Sequence, residues 1–437
     1  MSAINPPITE TADQRALRRR GLTLALLTIV YFFSFMDRYI LTILLELIKA
    51  DLHLNDTQLG LLQGFAFALL YATLGIPVAW LADHRNRRNI VAISLAIWSA
   101  MTALSGIAQN YAQLLAFRVG VGIGEAGSSP PSHSIIADLY PPAKRSGAMA
   151  IYATGVVLGG GFGTMIGGTI AHYFGWRWAL AAVGLPGLLL AVIVRLFVVE
   201  PRRGLSDPAA AARATEQRPT VWDGFRSLFA NPAAVHLVMG ITVTSLVGYA
   251  LAGFLPSFSQ RSFGVPLLTI ALVLAPSLAV AGAFAGIFWG RVADRVGHKH
   301  GLHSQAWLVA GLKAFAFPFV LYFYFSYDFV IGFVALVISY LFSASYLGPS
   351  FALLQGLAPM RMRAVWAAIT LLVINLIGLG IGPTLVGVLS DVYKPRFGGE
   401  SLRYAMLTVE MATPWAIFHY WRAGVILKRM RAAGDGV

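Results

Sequence analysis

Four charged side chains stand inside long apolar runs of this 437-residue chain, and their types and spacing could do chemistry. Asp37 and Arg38 lie in FMDRYIL (35–41), and Arg118 and Glu125 lie in RVGVGIGEAG (118–127). A charge at the centre of a membrane helix costs roughly 2.5–3.5 kcal/mol on insertion scales, so each must be paired or put to use. Arg118 and Glu125, seven residues apart, share one helix face. Adjacent Asp37 and Arg38 point about 100° apart and cannot pair with each other. At about 1.5 Å per residue the first pair lies between Arg118 and Glu125 in depth, so the later helix offers each a partner of opposite sign. Burial favours a neutral carboxyl and a nearby guanidinium favours a charged one, so a rearranging network can take up and release protons. Asp37 and Glu125 are therefore expected as protonatable switches, with Arg38 and Arg118 holding an anionic group. The competing expectation is four charges that neutralise one another and pin two helices. Gly122, Gly124 and Gly127 thin the helix around Glu125, which allows close approach of a ligand or of another backbone.

The elements that must position these residues are membrane helices. The chain is 57% hydrophobic and 12% charged, against about 45–50% and about 25% in soluble domains, which excludes an ordinary soluble enzyme. With roughly 20 residues per crossing, apolar windows fall at about 21–48, 58–82, 89–109, 112–139, 146–172, 177–198, 233–258, 267–291, 302–325, 329–354, 364–389 and 402–426. This reads as an all-α membrane protein with twelve transmembrane helices. Prolines inside the windows, such as Pro77, Pro186 and Pro318, are tolerated in membrane helices where neighbours re-satisfy the freed backbone groups.

The net charge of +14 is spread singly and in pairs between the apolar runs, with no basic face or stripe for nucleic acid. Most of the Lys and Arg fall on segments that an N-terminus-inside topology leaves in the cytoplasm, and few on the other loops. Both termini are therefore expected in the cytoplasm, in a plasma or bacterial inner membrane. The absence of Cys excludes disulfides, thiolate metal sites and Cys nucleophiles. The first apolar run is too long and too charged for a cleaved signal peptide.

The expected organisation is an N-terminal tail (1–20), a six-helix half (21–199), a polar linker (200–231), a second six-helix half (232–427) and a C-terminal tail (428–437). Two strings support duplication. ADHRNRR (82–88) matches ADRVGHK (293–299) at an offset of 211, and PSHSIIADLYPPAKR from Pro131 matches PSFALLQGLAPMRMR from Pro349 at an offset of 218. Two six-helix units in one orientation form a parallel repeat, with a binding site expected near the midplane between them.

GRVADRVGHK (290–299) resembles the loop signature of the major facilitator superfamily. AWLADHRNRR (79–88) is a degenerate first copy in which Asp83, Arg87 and Arg88 survive. RVGVGIG (118–124), the glycine-rich run from Gly155 to Gly168 and GWRW (175–178) are similar to further superfamily motifs, although Thr164 stands where proline is usual. The resemblance implies the major facilitator fold. It also implies that Asp83, Arg87, Arg88, Asp294 and Arg295 form a cytoplasmic gate clasping the two halves when the inside is closed. More narrowly, FMDRYIL together with RVGVGIGEAGSSPPSHSIIADLYPP (118–142) resembles the spinster family of lipid transporters, which implies transport of a lipid or amphiphile.

In the second half Leu336 and Ser343 stand where Arg118 and Glu125 stand in the first, and the seventh and tenth helices offer aromatics. Tyr249, Phe254, Tyr340 and Tyr346 are expected on an aromatic cavity wall, with Phe258 and Phe342 as further candidates. Lys313 and Glu410 are expected as a buried structural pair, and His133 as a hydrogen-bonded residue or a proton relay. No catalytic residue, metal site or cofactor is expected, because Walker, HExxH and GxSxG patterns are missing. The expected activity is alternating-access transport of a lysolipid- or sphingolipid-like amphiphile, influenced by protons, by a monomer among membrane lipids. The alternative is a proton-coupled carrier of hydrophilic organic anions or drugs.

Overall fold

The computed structural model describes residues 11–207 and 220–433, and nearly all of them are helical. Twelve helices cross back and forth. The first half holds α1 (Arg20–Leu52), α2 (Asp56–His84), α3 (Arg87–Ser105), α4 (Tyr111–Glu125 and Ser129–Leu139), α5 (Pro142–Phe174) and α6 (Trp176–Phe197). The second holds α7 (Pro232–Phe263), α8 (Leu267–His300), α9 (Leu302–Phe325) and α10 (Phe329–Leu357). It closes with α11 (Arg363–Val373, continuing through Gly382–Phe397) and α12 (Ser401–Glu410 and Thr413–Ala432). The chain enters α1 and leaves α12 on one face, the terminal face; α2 starts from the opposite, far face.

Short polar caps start many of these helices. The Asn55 side chain accepts from the Gln58 amide, Asn110 from Gln113, Asn231 from Ala234 and Asp328 from Ile331, each satisfying a backbone donor the first turn leaves free. Gly175 and Gly301, with φ of 86° and 99°, turn the chain directly from α5 into α6 and from α8 into α9, a conformation that a Cβ disfavours.

Ten stretches of the described residues are long and apolar enough to cross a membrane, against the twelve windows read from the sequence. The difference has two sources. α4 breaks into pieces of 15 and 11 residues, and α11 and α12 fall into one apolar run from Val365 to Ala432. α10 breaks at Ala344–Tyr346, immediately after Ser343, so the two breaks follow residues one repeat offset apart, Glu125 and Ser343.

Small residues let the backbones meet, as membrane helices require when lipid tails offer no hydrophobic drive between them. A Cβ on Gly155, Gly159 or Gly163 of α5 would strike the α1 backbone at Thr28, Phe32 or Met36. Gly184 of α6 faces the backbone of Ser99 and Ala103 in α3. On the outer side of α6, Leu185, Leu189, Val192 and Leu196 are each more than half exposed along one helix face, the surface that acyl chains cover.

The halves meet at the far face. Gly60 and Gly64 of α2 abut Pro383, Thr384 and Gly380 of α11, and Gly387 abuts the Asp56 backbone. Toward the terminal face Gly286, Gly290 and Gly348 line one open space together with Asp294, and a Cβ on any of the three would meet nothing within 4 Å. The molecule is therefore sealed at the far face and open toward the terminal face.

The segment expected as an unpatterned linker contains a helix, Val221–Phe229, begun by a Thr220–Asp223 capping box. Its Phe225 packs on the cluster around Trp366, while Trp222 and Phe229 are largely exposed. Arg213 and Arg218 lie outside the described residues. A second short helix, Ala12–Arg18, lies in the stretch expected as the N-terminal tail.

Candidate functional site

Asp37 and Arg38 sit mid-way along α1 and reach α4 in crossed fashion. Arg38 Nε donates to Glu125 Oε2 at 2.7 Å, and Arg118 NH1 stands 3.6 Å from Asp37 Oδ1. The carboxylates are held from behind: Ser34 donates to Glu125 Oε2 at 2.9 Å and Thr102 of α3 to Asp37 Oδ2 at 2.6 Å. All four are buried or nearly so. Their hydrogen-bonding capacity is not exhausted, because among the described residues Asp37 Oδ1, Glu125 Oε1 and Arg118 Nε have no hydrogen-bond partner.

The two arginines face the space between the halves; the carboxylates stand behind them. Arg38 and Arg118 line a cavity of about 50 Å³ together with Tyr39, Gln63, Phe67 and Tyr249. Arg38 is caged by rings, with its guanidinium carbon 4.9 Å from the Phe35 centroid, 4.9 Å from Phe67 and 4.5 Å from Tyr71. Cation–π contact in a desolvated site strengthens this hold. Gly122 and Gly124 serve backbone approach rather than a ligand: a Cβ there would strike Phe67 O of α2 and the Trp98 backbone of α3.

This cavity shares Tyr39, Thr42 and Ala252 with a larger groove of about 560 Å³ between α5 and α8. The groove walls are small and aliphatic, among them Val156, Gly160, Leu274, Leu278 and Ile287. A third cavity, of about 220 Å³, is enclosed by α7, α9, α10 and α12 and shares Tyr340 and Ala344 with the groove.

The expected aromatic wall divides. Tyr249, Tyr340 and Tyr346 line cavities. Phe254 does not: it is fully buried in the same core as Phe258, Val320 and Phe323, although its neighbours Gly253 and Leu255 line cavities. Phe342 packs against Phe315 and Trp289. Lys313 and Glu410 do not close into an ion pair; both face the 220 Å³ cavity. His133 is exposed and touches Tyr152 edge-on, with ring centroids 5.2 Å apart.

The residues expected as a gate do not meet across the halves. Arg87 is buried within the first half, bound to Asp138, to Glu200 at 2.7 Å, to Ser134 at 2.8 Å and to the Pro201 carbonyl at 2.8 Å. The Arg88 amide donates to Glu200 at 2.8 Å, and Asp83 lies 4.0 Å from Arg203. Asp294 and Arg295 are exposed at the terminal end of α8.

A polar latch at the far face went unread in the sequence. Arg261 of α7 binds Glu46 of α1 at 2.6 Å and Asp56 of α2 at 2.7 Å; Lys49 binds the same Asp56 at 2.5 Å. Asp391 of α11 accepts from the Thr57 amide and hydroxyl, both at 2.7 Å, and Ser390 donates to Asp56 at 2.6 Å. Lys49 and Arg261 read in the sequence only as loop charges.

Comparison with known proteins agrees with this architecture. The family model described as Major Facilitator Superfamily matches residues 27–383. An MFS-type efflux pump of Mycolicibacterium smegmatis (strain ATCC 700084 / mc(2)155) is 32% identical over 422 residues, 96% of each chain. Protein spinster homolog 3 of Danio rerio is 28% identical over 441 residues, 93% of this chain and 86% of that one. The crystal structure of a bacterial homolog to the human lysosomal transporter Spinster, inward-facing and unoccupied, superposes with a TM-score of 0.84 at 29% identity. That match covers 94% of this chain and 98% of that one.

Proposed function

The chain belongs to the major facilitator superfamily, in its spinster-like branch, and on that premise we propose its cargo: a lysolipid- or sphingolipid-like amphiphile moved by alternating access. It is a membrane transporter and not an enzyme. The observation that carries the proposal is the junction of two unlike spaces, an apolar groove between α5 and α8 and the Arg38–Arg118 cavity that opens from it. An acyl tail gains little by leaving bilayer lipid for an equally apolar groove. Selection therefore falls to the head, and two guanidiniums suit a phosphate or carboxylate.

In this reading the Lys- and Arg-rich terminal face is cytoplasmic, both termini lie inside, and the groove loads from the cytoplasmic side. An anionic head draws Arg38 or Arg118 from its carboxylate. The carboxylate then loses its compensation and takes a proton, which couples occupancy to protons through Asp37 and Glu125. The whole pathway lies within one chain, so a monomer among membrane lipids suffices. A second reading, export of organic anions or drugs, is favoured by the efflux-pump relative that matches almost end to end.

The test is transport by the purified protein in proteoliposomes, with labelled lysolipids set against organic anions, with and without a pH gradient. Lysolipid movement that responds to the gradient is expected. Movement of the organic anions with none of the lysolipids would replace the first reading with the second.

A further inference from the structure

Lys313 of α9 and Glu410 of α12 take no part in the function proposed above. They are 7% and 4% exposed, in the half of the molecule that lacks the arginine pairs. Opposite charges in an apolar interior attract strongly and ordinarily close on each other. These two stay apart across the 220 Å³ chamber that both line. The Lys313 ammonium stands 5.1 Å from the centroid of the Tyr346 ring, and Glu410 accepts from Thr413 at 2.7 Å. Among the described residues Lys313 makes no hydrogen bond or ion pair.

We propose that this chamber is a second polar subsite, taking a zwitterionic group whose ammonium sits against Glu410 and whose anionic oxygens sit against Lys313. A ligand with a single charge would leave one wall unmatched, and a buried unmatched charge is heavily penalised. A zwitterion answers both walls. The Ser339 and Ser343 hydroxyls line the same space and supply further hydrogen bonds. At about 30 Å³ per water in the liquid, the chamber has room for one small polar group rather than a whole amphiphile. Tyr340 and Ala344 belong to both the chamber and the α5–α8 groove, so a molecule in the groove can place its end in the chamber. Gly248 of α7 keeps the space open, since a Cβ there would meet nothing within 4 Å. The inference rests on the proposed transport reading for the amphiphile itself, but its test does not.

The chain has no Cys, so Ser343→Cys places a single thiol on the chamber wall. The thiol-labelling rate is measured in nanodiscs with phosphoethanolamine, glycerol 3-phosphate or ethanolamine added. Phosphoethanolamine should slow labelling at least about tenfold more than either compound that carries charge of one sign only, as expected when hydrogen bonds to two charged groups act together. Adding Glu410→Gln or Lys313→Met should abolish that difference. Gly248→Leu should abolish it too, by filling the chamber without touching either charge, and this holds the test open where a charge variant misfolds. Equal slowing by all three compounds, or none by phosphoethanolamine, overturns the subsite. Protection that survives all three added substitutions overturns it as well. Protection without lysolipid flux removes the cargo reading alone; lysolipid flux without protection removes the chamber alone.

Discussion

Arg38 and Arg118 carry the same charge on the same cavity but are bound differently, and that difference separates their roles. Arg38 is fixed by Glu125 at 2.7 Å and by three aromatic rings, whereas Arg118 reaches Asp37 only at 3.6 Å and leaves its Nε unpartnered. Removing one partner of a buried pair costs about 3–5 kcal/mol, because a charge is left uncompensated. Arg38→Ala should therefore lower thermal stability sharply at neutral pH. The loss should shrink when Glu125→Gln is added, since a neutral amide no longer needs the cation; melting curves of the single and double variants check the sign. A deficit that Glu125→Gln does not reduce would mean that missing packing, not charge, dominates. Glu125→Gln keeps the shape of the protonated form, so it should permit exchange while flattening the response of transport to pH. Asp37→Asn should do the same if the two carboxylates share a proton site. If wild-type flux ignores pH between about 5.5 and 8, or both variants keep its profile, the carboxylates only hold helices together.

At the scale of elements, the seam between α2 and α11 does what the charges cannot. Gly60 and Gly64 bring the two backbones together, and Arg261, Asp56, Glu46 and Asp391 lock the ends. Arg261→Ala should release the latch and admit a thiol reagent from the far face to a cysteine placed at Gln63. Each 1.4 kcal/mol by which the closed state is weakened should raise that labelling rate about tenfold. Gly64→Val should act in the same direction, because a Cβ there would strike Gly380 O; labelling unchanged in both variants would show that the seam does not gate this face. None of this seam was legible in the sequence. The charges of α1 and α4 announce themselves by standing in apolar runs, and their crossed pairing follows from depth and helix geometry. Arg261 and Asp56 instead stand at helix ends, where a charge is unremarkable, and their partnership spans 205 residues of chain. Phe254 misled for a related reason: an aromatic residue on a membrane helix looks the same whether a cavity or a core lies beside it.

At the scale of the whole molecule, the repeat makes two halves of similar build, and alternating access requires that the pathway between them is never open at both faces at once. The offset of 218 residues, legible in short strings, brings the breaks of α4 and α10 into register, yet it carries charges to one break and not to the other. The far face is closed and the terminal face is open, so the loop residues there are seen in their released state. Arg87 is spent inside the first half on Asp138 and Glu200, which makes it a structural anchor in this state. Asp294 and Arg295, exposed at the end of α8, are free to reach the opposite half when the terminal face closes. The two loop copies should therefore answer substitution differently. Arg87→Ala should cost about 1–3 kcal/mol of stability by removing the buried guanidinium that binds two half-buried carboxylates, with little effect on which face is open among the molecules that remain folded. Asp294→Asn should leave stability nearly unchanged, as surface substitutions generally do, and shift the population further toward the state open at the terminal face. Single cysteines at Gly286 and Gly348, in the terminal part of the pathway, read that shift on a cysteine-free background. Faster labelling with Asp294→Asn at an unchanged melting temperature is the expected result, and an unchanged rate would mean that the second loop copy does not clasp the halves at all.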